Sequence, residues 1–144
     1  MRNWIKAVSV ASVAAGLFAA PLMAAMPSDW DANADQTLTK EEFVAKFKTM
    51  GTFAKLDTDK NGMLSQAEFQ TGMSLYGDDF KSRFTDTDPS MAWNKDGADG
   101  LTETEFYDGI YLGYDTNKDN NIQETEFNTL GTDTGTSGFW MKSS

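Results

Sequence analysis

The sequence contains no histidine and no cysteine among its 144 residues. Their absence excludes disulfide bonds, thiolate nucleophiles, histidine general bases and the usual ligands of zinc and iron–sulfur sites. Basic residues are also few, with 12 Lys plus Arg against 22 Asp plus Glu and a formal net charge of −10. Because nucleic acids and anionic membranes repel such a surface, neither is an expected partner. Any metal chemistry must use oxygen ligands, which favour hard cations.

Residues 1–25 have the composition of an export signal. A short basic start is followed by the small apolar residues of 7–20, and Pro21 precedes a group of small residues. This pattern predicts a signal peptide of bacterial type, cleaved after Ala24 or Ala25. An uncleaved membrane anchor is the alternative, and the alanine-rich, weakly hydrophobic run disfavours it. The expected location is the periplasm or the cell exterior, with no membrane span in the mature chain.

A twelve-residue pattern that ends in Glu occurs four times in the mature chain. Its copies are residues 31–42, 57–68, 94–105 and 115–126, named here loops one to four. Each copy has an apolar residue just before position 1, Phe after position 12 and an aliphatic residue at position 8. The position 8 residues are Leu38, Leu64, Leu101 and Ile122. Solvated acidic turns would not repeat these apolar residues, so the pattern indicates four equivalent structural units.

Loop two, DTDKNGMLSQAE, matches the pattern D-x-[DN]-x-[DN]-G-x5-E at every element. This is the pattern of the EF-hand calcium loop, and the chain resembles the EF-hand family over most of its mature length. The resemblance implies an all-α fold of four EF-hand helix–loop–helix units, with short β-bridges between paired loops. These units would occupy residues 26–130, and a tail rich in Gly, Thr and Ser would follow at 131–144.

In the EF-hand pattern, positions 1, 3, 5, 7 and 12 supply the oxygens that surround a calcium ion. Position 7 acts through its backbone carbonyl, and the Glu at position 12 supplies both carboxylate oxygens. Magnesium is the expected competitor. The predicted ligands are Asp31, Asn33, Asp35, Thr37 and Glu42 in loop one, Asp57, Asp59, Asn61, Met63 and Glu68 in loop two, Asn94, Asp96, Gly100 and Glu105 in loop three, and Asp115, Asn117, Asp119, Asn121 and Glu126 in loop four.

Position 6 of each loop needs a positive φ, and the loops differ in how easily the residue there adopts it. Gly62 in loop two adopts it freely, Asn120 in loop four tolerates it, and Gln36 in loop one adopts it at a cost of about 1 kcal/mol.

Loop three departs furthest from the pattern. Asn94 replaces the leading Asp, and Ala98 offers no oxygen at position 5. Two alternatives remain open for it. One is a weak or empty site, and the other is a distorted site in which Gly97 and Gly100 let the turn bring Asp99 inward.

The segments between loops have 14, 25 and 9 residues. In the first, Gly51 should end one helix before a short second one. In the middle segment Gly77 should end a helix, and Asp88 and Pro89 should begin another. The shortest segment predicts one helix running from loop three into loop four. Length favours a β-bridge between loops two and three, while the family habit of pairing neighbours keeps one–two and three–four open.

The residues after loop four include an aromatic pair, Phe139 and Trp140. This segment is either a disordered end or a docking element that covers an apolar groove of the same chain. The other aromatic residues at helical spacing are expected in the core.

The leading functional interpretation is calcium binding without catalysis, by a buffer, a sensor or a calcium-stabilised interaction module. An unidentified cell-envelope protein is a further expected partner. The alternative is a small secreted hydrolase that uses carboxylates and holds calcium as a structural ion. Half of the acidic residues lie at ligand positions of the loops, which disfavours that alternative.

Overall fold

The computed structural model describes residues 26–27, 29–84 and 92–141. The predicted signal peptide at 1–25 and the predicted helix start at Asp88 and Pro89 lie outside the described residues.

The described chain is mainly helical, with a two-residue strand in each of the four loops, as the EF-hand resemblance implied. In chain order the elements are β1 (Leu38–Thr39), α1 (Lys40–Met50), α2 (Thr52–Leu56), β2 (Met63–Leu64), α3 (Gln66–Arg83), β3 (Leu101–Thr102), α4 (Glu103–Tyr114), β4 (Asn121–Ile122), α5 (Glu124–Thr134) and a 3-10 helix (Phe139–Met141). Among the described helices, none has the length and apolar character needed to cross a membrane.

Loops one, two and three pass into their helices through the same end structure. In α1, the Thr39 side chain accepts the backbone N–H of Glu42, and the Glu42 carboxylate accepts the backbone N–H of Thr39. Ser65 and Thr102 form the same capping boxes at the starts of α3 and α4. Because the capping box satisfies free N–H groups at the helix start, it fixes the Glu at position 12 on the first turn.

Glycines end the helices where the sequence predicted. Gly51 has φ 66° between α1 and α2, and Gly77 interrupts α3 with φ 74°. Both residues have a positive φ, which glycine adopts without a steric penalty. The 12-residue α4 runs directly from loop three to loop four, as the short connection predicted.

The strands pair loop one with loop four and loop two with loop three. Leu38 lies opposite Ile122, and Leu64 lies opposite Leu101, both in antiparallel register. The pairing of loops two and three confirms the prediction from length, whereas the one–two and three–four alternatives are wrong. The reason is α4, which is about 18 Å long and holds loops three and four at opposite ends. The pairing of loop one with loop four was not predicted.

The core is built mostly from aromatic rings that the helices contribute. Phe43, Phe47, Phe80 and Phe106 are almost fully buried, with exposed fractions of 0–1%. Trp140 packs edge-on against Phe47 and Phe80, with ring centroids 5.2 and 5.5 Å apart. The Phe139–Trp140 segment therefore docks into the core, which is the second of the two alternatives drawn from the sequence.

A buried polar network fixes this docked segment. The Trp140 indole N–H donates to the Tyr114 hydroxyl at 2.9 Å, and that hydroxyl donates to Asp133 at 2.8 Å. Arg83 on α3 donates to the same carboxylate at 2.8 Å. Burial raises the pKa of Tyr114, and the neighbouring Asp133 charge raises it further. The network thus ties α3, α4 and α5 to the 3-10 helix. Its member Tyr114 is the last residue of α4 and directly precedes Asp115, the first residue of loop four.

Candidate metal-binding loops

Loop two brings three carboxylates together. One oxygen each from Asp57, Asp59 and Glu68 lies within 4.8 Å of the other two. In the part of the chain that the structure describes, this is the one place where three such groups converge. The donor set consists of hard, anionic oxygens with the Asn61 amide alongside, and it fits calcium or magnesium by its chemistry.

Hydrogen bonds to the backbone hold the first ligand of loop two in place. The two carboxylate oxygens of Asp57 accept the N–H groups of Asn61 at 3.1 Å and Gly62 at 2.9 Å. Gly62 has φ 83°, which turns its N–H toward the carboxylate. Asp57 is 7% exposed, so its charge lies against the core at the base of the loop.

Glu68, the last ligand of loop two, spans the loop from its helix. One carboxylate oxygen accepts the N–H groups of Thr58 at 2.9 Å and Asp59 at 3.1 Å. The other accepts the N–H and the hydroxyl of Ser65 at 3.0 and 2.8 Å. These hydrogen bonds, those from Ser65 first, lower the pKa of Glu68 to about 2. Glu68 is therefore ionised at neutral pH and available as an anionic ligand.

Loops one and four repeat the arrangement around position 1. The oxygens of Asp31 accept the N–H groups of positions 5 and 6 at 3.2 and 2.8 Å. Those of Asp115 accept the equivalent N–H groups at 3.2 and 3.0 Å. Gln36 and Asn120 have the predicted positive φ at position 6, at 66° and 65°. Both loops therefore have the frame of loop two. They carry Asn at position 3 and Asp at position 5, where loop two has Asp and Asn.

A left-handed residue also occurs at position 4 of every loop. The residues there are Ala34, Lys60, Gly97 and Lys118, with φ between 58° and 72°. This conformation at position 4 was not predicted. Because Ala, Lys and Gly share no backbone preference, the sequence carries no signal for it. The conformation belongs to the turn itself and does not depend on the residue.

Loop three keeps part of this frame but has a different centre. Glu105 accepts the N–H groups of Lys95 and Asp96 at 2.6 and 3.2 Å, like its counterparts. Burial acts to raise the pKa of Glu105, but these and other hydrogen bonds lower it overall. At position 1, however, the Asn94 amide nitrogen donates to the carbonyls of Ala98 at 2.6 Å and Gly100 at 3.4 Å.

Asp99 lies at position 6 of loop three without the backbone conformation of its counterparts. Gln36, Gly62 and Asn120 have a positive φ there, whereas Asp99 is absent from the non-glycine residues with positive φ. The positive φ of this turn lies instead at Gly97, at 72°. Asp99 lines the open cavity of loop three together with Asn94 and Ala98. The turn of loop three therefore differs from the others at position 6, and an inward-turned Asp99 ligand stays a prediction.

A family model described as EF hand matches residues 50–74. This stretch contains α2, all of loop two and the first half of α3. The match supports an EF-hand family for the chain and, together with the acidic cluster of loop two, suggests calcium binding. No curated protein and no solved structure matches the chain.

Proposed function

We propose that the protein is an exported module that binds calcium through loops one, two and four and has no catalytic activity of its own. The observation that carries the proposal is the convergence of Asp57, Asp59 and Glu68 within the segment that matches the EF-hand model. Calcium would be held there by these three carboxylates, the Asn61 side chain and the Met63 carbonyl.

The equivalent groups in the other two loops support binding there. Asp31, Asp35 and Glu42 in loop one correspond to Asp115, Asp119 and Glu126 in loop four. Asn33 and Asn117 supply the position 3 oxygens, and the Thr37 and Asn121 carbonyls supply position 7. Each loop thus concentrates negative charge, and a bound cation relieves the repulsion among its carboxylates.

Export is proposed from the composition of residues 1–25 alone. In the periplasm or outside the cell, abundant calcium makes weak binding sufficient. We expect dissociation constants of about 10⁻⁵ to 10⁻³ M, because position 6 is glycine only in loop two. A dissociation constant below about 10⁻⁷ M at the tightest site would contradict this range.

The docked aromatic segment favours a calcium-stabilised module over a sensor. Sensor EF-hands open on calcium binding and expose an apolar groove to a partner. Here Phe139 and Trp140 pack against α3 and α1 and are only 3% and 2% exposed. Calcium binding would then stabilise a closed fold that presents its outer surface to an unidentified cell-envelope partner.

The hydrolase alternative has less support. A glycosidase needs two carboxylates facing each other across a substrate cleft, one of them as a proton donor. Here the converging carboxylates lie within a single loop, and Glu68 is held ionised by a pKa of about 2, which removes it as a proton donor near neutrality.

A calorimetric titration of the chain without residues 1–25, first with calcium and then with magnesium, tests the proposal. We expect calcium to bind, to raise the melting temperature and, at low ionic strength, to increase the helical signal in circular dichroism over that with chelator. Glu68→Gln should lose the tightest site, whereas Glu41→Gln, the same change at an exposed residue outside the ligand set, should not. Equal spectra and equal melting temperatures with chelator and with calcium would contradict the proposal.

A further inference from the structure

The side chain at position 1 makes different hydrogen bonds to the turn in loop three and in the other loops. The Asp residues at position 1 of loops one, two and four direct two acceptor oxygens at backbone N–H groups. Asn94 uses its oxygen for the N–H of Gly97 at 2.7 Å and directs its NH₂ group at carbonyls. An NH₂ group is a donor with partial positive charge, so it interacts with carbonyl oxygens as a small cation does.

The carbonyl of Gly100 is the oxygen that position 7 would offer to a metal ion, and Asn94 already donates to it. The remaining oxygens of loop three are few. Ala98 has none in its side chain, and its carbonyl also accepts from Asn94. The carboxylates of Asp96, Asp99 and Glu105 are left, and Asp99 lies at position 6, which supplies no oxygen in the pattern, whereas calcium takes six to eight oxygens. The donor set of loop three therefore does not fit the ion that the family pattern assigns to it.

Loop three is nevertheless closely joined to loop two. Leu64 and Leu101 face each other across β2 and β3, and each is 1% exposed. The strands approach so closely that a Cβ on Gly100 would lie 2.7 Å from the Leu64 carbonyl oxygen. A fixed β3 therefore holds the second half of loop two, where the Met63 carbonyl lies.

We infer that loop three binds no calcium, because the Asn94 amide makes the carbonyl contacts that an ion would make, and that this loop is a metal-independent support for calcium binding at loop two. The inference rests on the proposed function for loop two. It changes the role of Asn94, Asp96, Gly100 and Glu105 from ligands to parts of a structural turn.

The first test counts calcium ions bound to the wild type, Glu68→Gln and Glu105→Gln by native mass spectrometry and equilibrium dialysis at millimolar calcium. We expect Glu68→Gln to bind one ion fewer than the wild type and Glu105→Gln to bind the same number. Loss of an ion from Glu105→Gln would overturn the inference. If the wild type binds no calcium at all, the proposed function fails; if only Glu105→Gln departs from expectation, the inference alone fails.

The second test asks whether Asn94 itself excludes the ion. Ala98→Asp supplies the missing position 5 oxygen but keeps the Asn94 amide, and we expect it to bind no additional calcium. The double variant Asn94→Asp with Ala98→Asp removes the donor and restores both carboxylates, and we expect it to bind one additional ion. An additional ion on the single variant, or none on the double variant, would contradict the role of Asn94. Circular dichroism with calcium confirms that each variant is folded before its ions are counted.

Discussion

Loops two and three are paired strand to strand, yet they differ at their centres. Both have a left-handed residue at position 4, a capping box, and a Glu whose carboxylate spans the turn. In loop two an Asp accepts at position 1, and in loop three an Asn donates there. The comparison teaches that the frame of such a loop is separable from its ion site. The frame depends on backbone hydrogen bonds and one buried aliphatic residue, whereas the ion site depends on the polarity of a few side chains.

The largest expected effect is on the frame that the two loops share. Leu64→Ala and Leu101→Ala each remove a side chain that is 1% exposed, and each should lower the free energy of unfolding by about 2–5 kcal/mol. Urea denaturation in saturating calcium measures the loss. Leu75→Ala, at a residue that is 59% exposed, is the matched control and should change stability little. A much smaller loss for Leu101→Ala than for Leu64→Ala would mean that loop three contributes less to the shared frame.

The next largest effect is expected at the contact between β2 and β3, which joins the two loops. Gly100→Ala places a Cβ against the Leu64 carbonyl, so β2 and β3 must move apart, at a cost of about 1–3 kcal/mol. Because loop two loses its fixed neighbour, its calcium affinity should fall as well. Denaturation and calorimetry together measure both changes. Gly131→Ala is the control, since its Cβ would meet only Phe127 at an ordinary 3.8 Å. Unchanged calcium binding in Gly100→Ala would argue against support through β3.

A smaller effect is expected when either of two glycines with positive φ is replaced. The two variants should separate a cost to the loop backbone from a loss of calcium binding. Gly62 and Gly97 have φ 83° and 72°, and a Cβ at either would meet nothing within 4 Å. Alanine at either position should therefore cost about 1 kcal/mol through the backbone alone. Only Gly62→Ala should also weaken calcium binding, because the Gly62 N–H positions Asp57. Isothermal titration of the two variants provides the comparison, and equal weakening would contradict this distinction between the two glycines.

The smallest expected effect on stability at neutral pH comes from a tyrosine on the helix that leaves loop three. Burial raises the pKa of Tyr107 on α4 to about 12. Because the folded chain then holds a proton that the unfolded chain releases near pH 10, stability should fall as pH rises from about 10 to 12. Tyr107→Phe should make this decline shallower and leave neutral stability nearly unchanged. Denaturation midpoints between pH 8 and 12 measure the slope, and an identical slope in the variant would contradict the assignment to Tyr107.

Much of the fold follows from local signals in the sequence. Gly51 and Gly77 mark helix ends because a positive φ is costly for other side chains, and the short connection before loop four leaves room for one helix only. The partnership of β1 with β4 is different, because it depends on how the helices pack and not on any adjacent residue. The same holds for Trp140, Tyr114 and Asp133, which meet from separate segments.

The candidate site, like the fold, is predictable from the sequence only in part. The predicted ligands of loop two lie at fixed spacings in the sequence, and the structure brings three of them, Asp57, Asp59 and Glu68, together. The spacing also predicts that Asn94 and Ala98 weaken loop three as an ion site. It does not show that the Asn94 amide turns its nitrogen inward, because that orientation is selected by the carbonyls around it. A pattern of residue types identifies which oxygens are available, but only the folded loop decides whether they face an ion or a donor.

The pairing of loop one with loop four encloses the pairing of loop two with loop three along the chain. The inner pair joins residues less than half as far apart in sequence as the outer pair, so its closure has the smaller entropy cost. During synthesis the chain emerges from its N-terminal end, and β1 has no strand partner until β4 has been made. Loop one, the first of the four to be synthesised, is therefore the one that must wait longest for its neighbour.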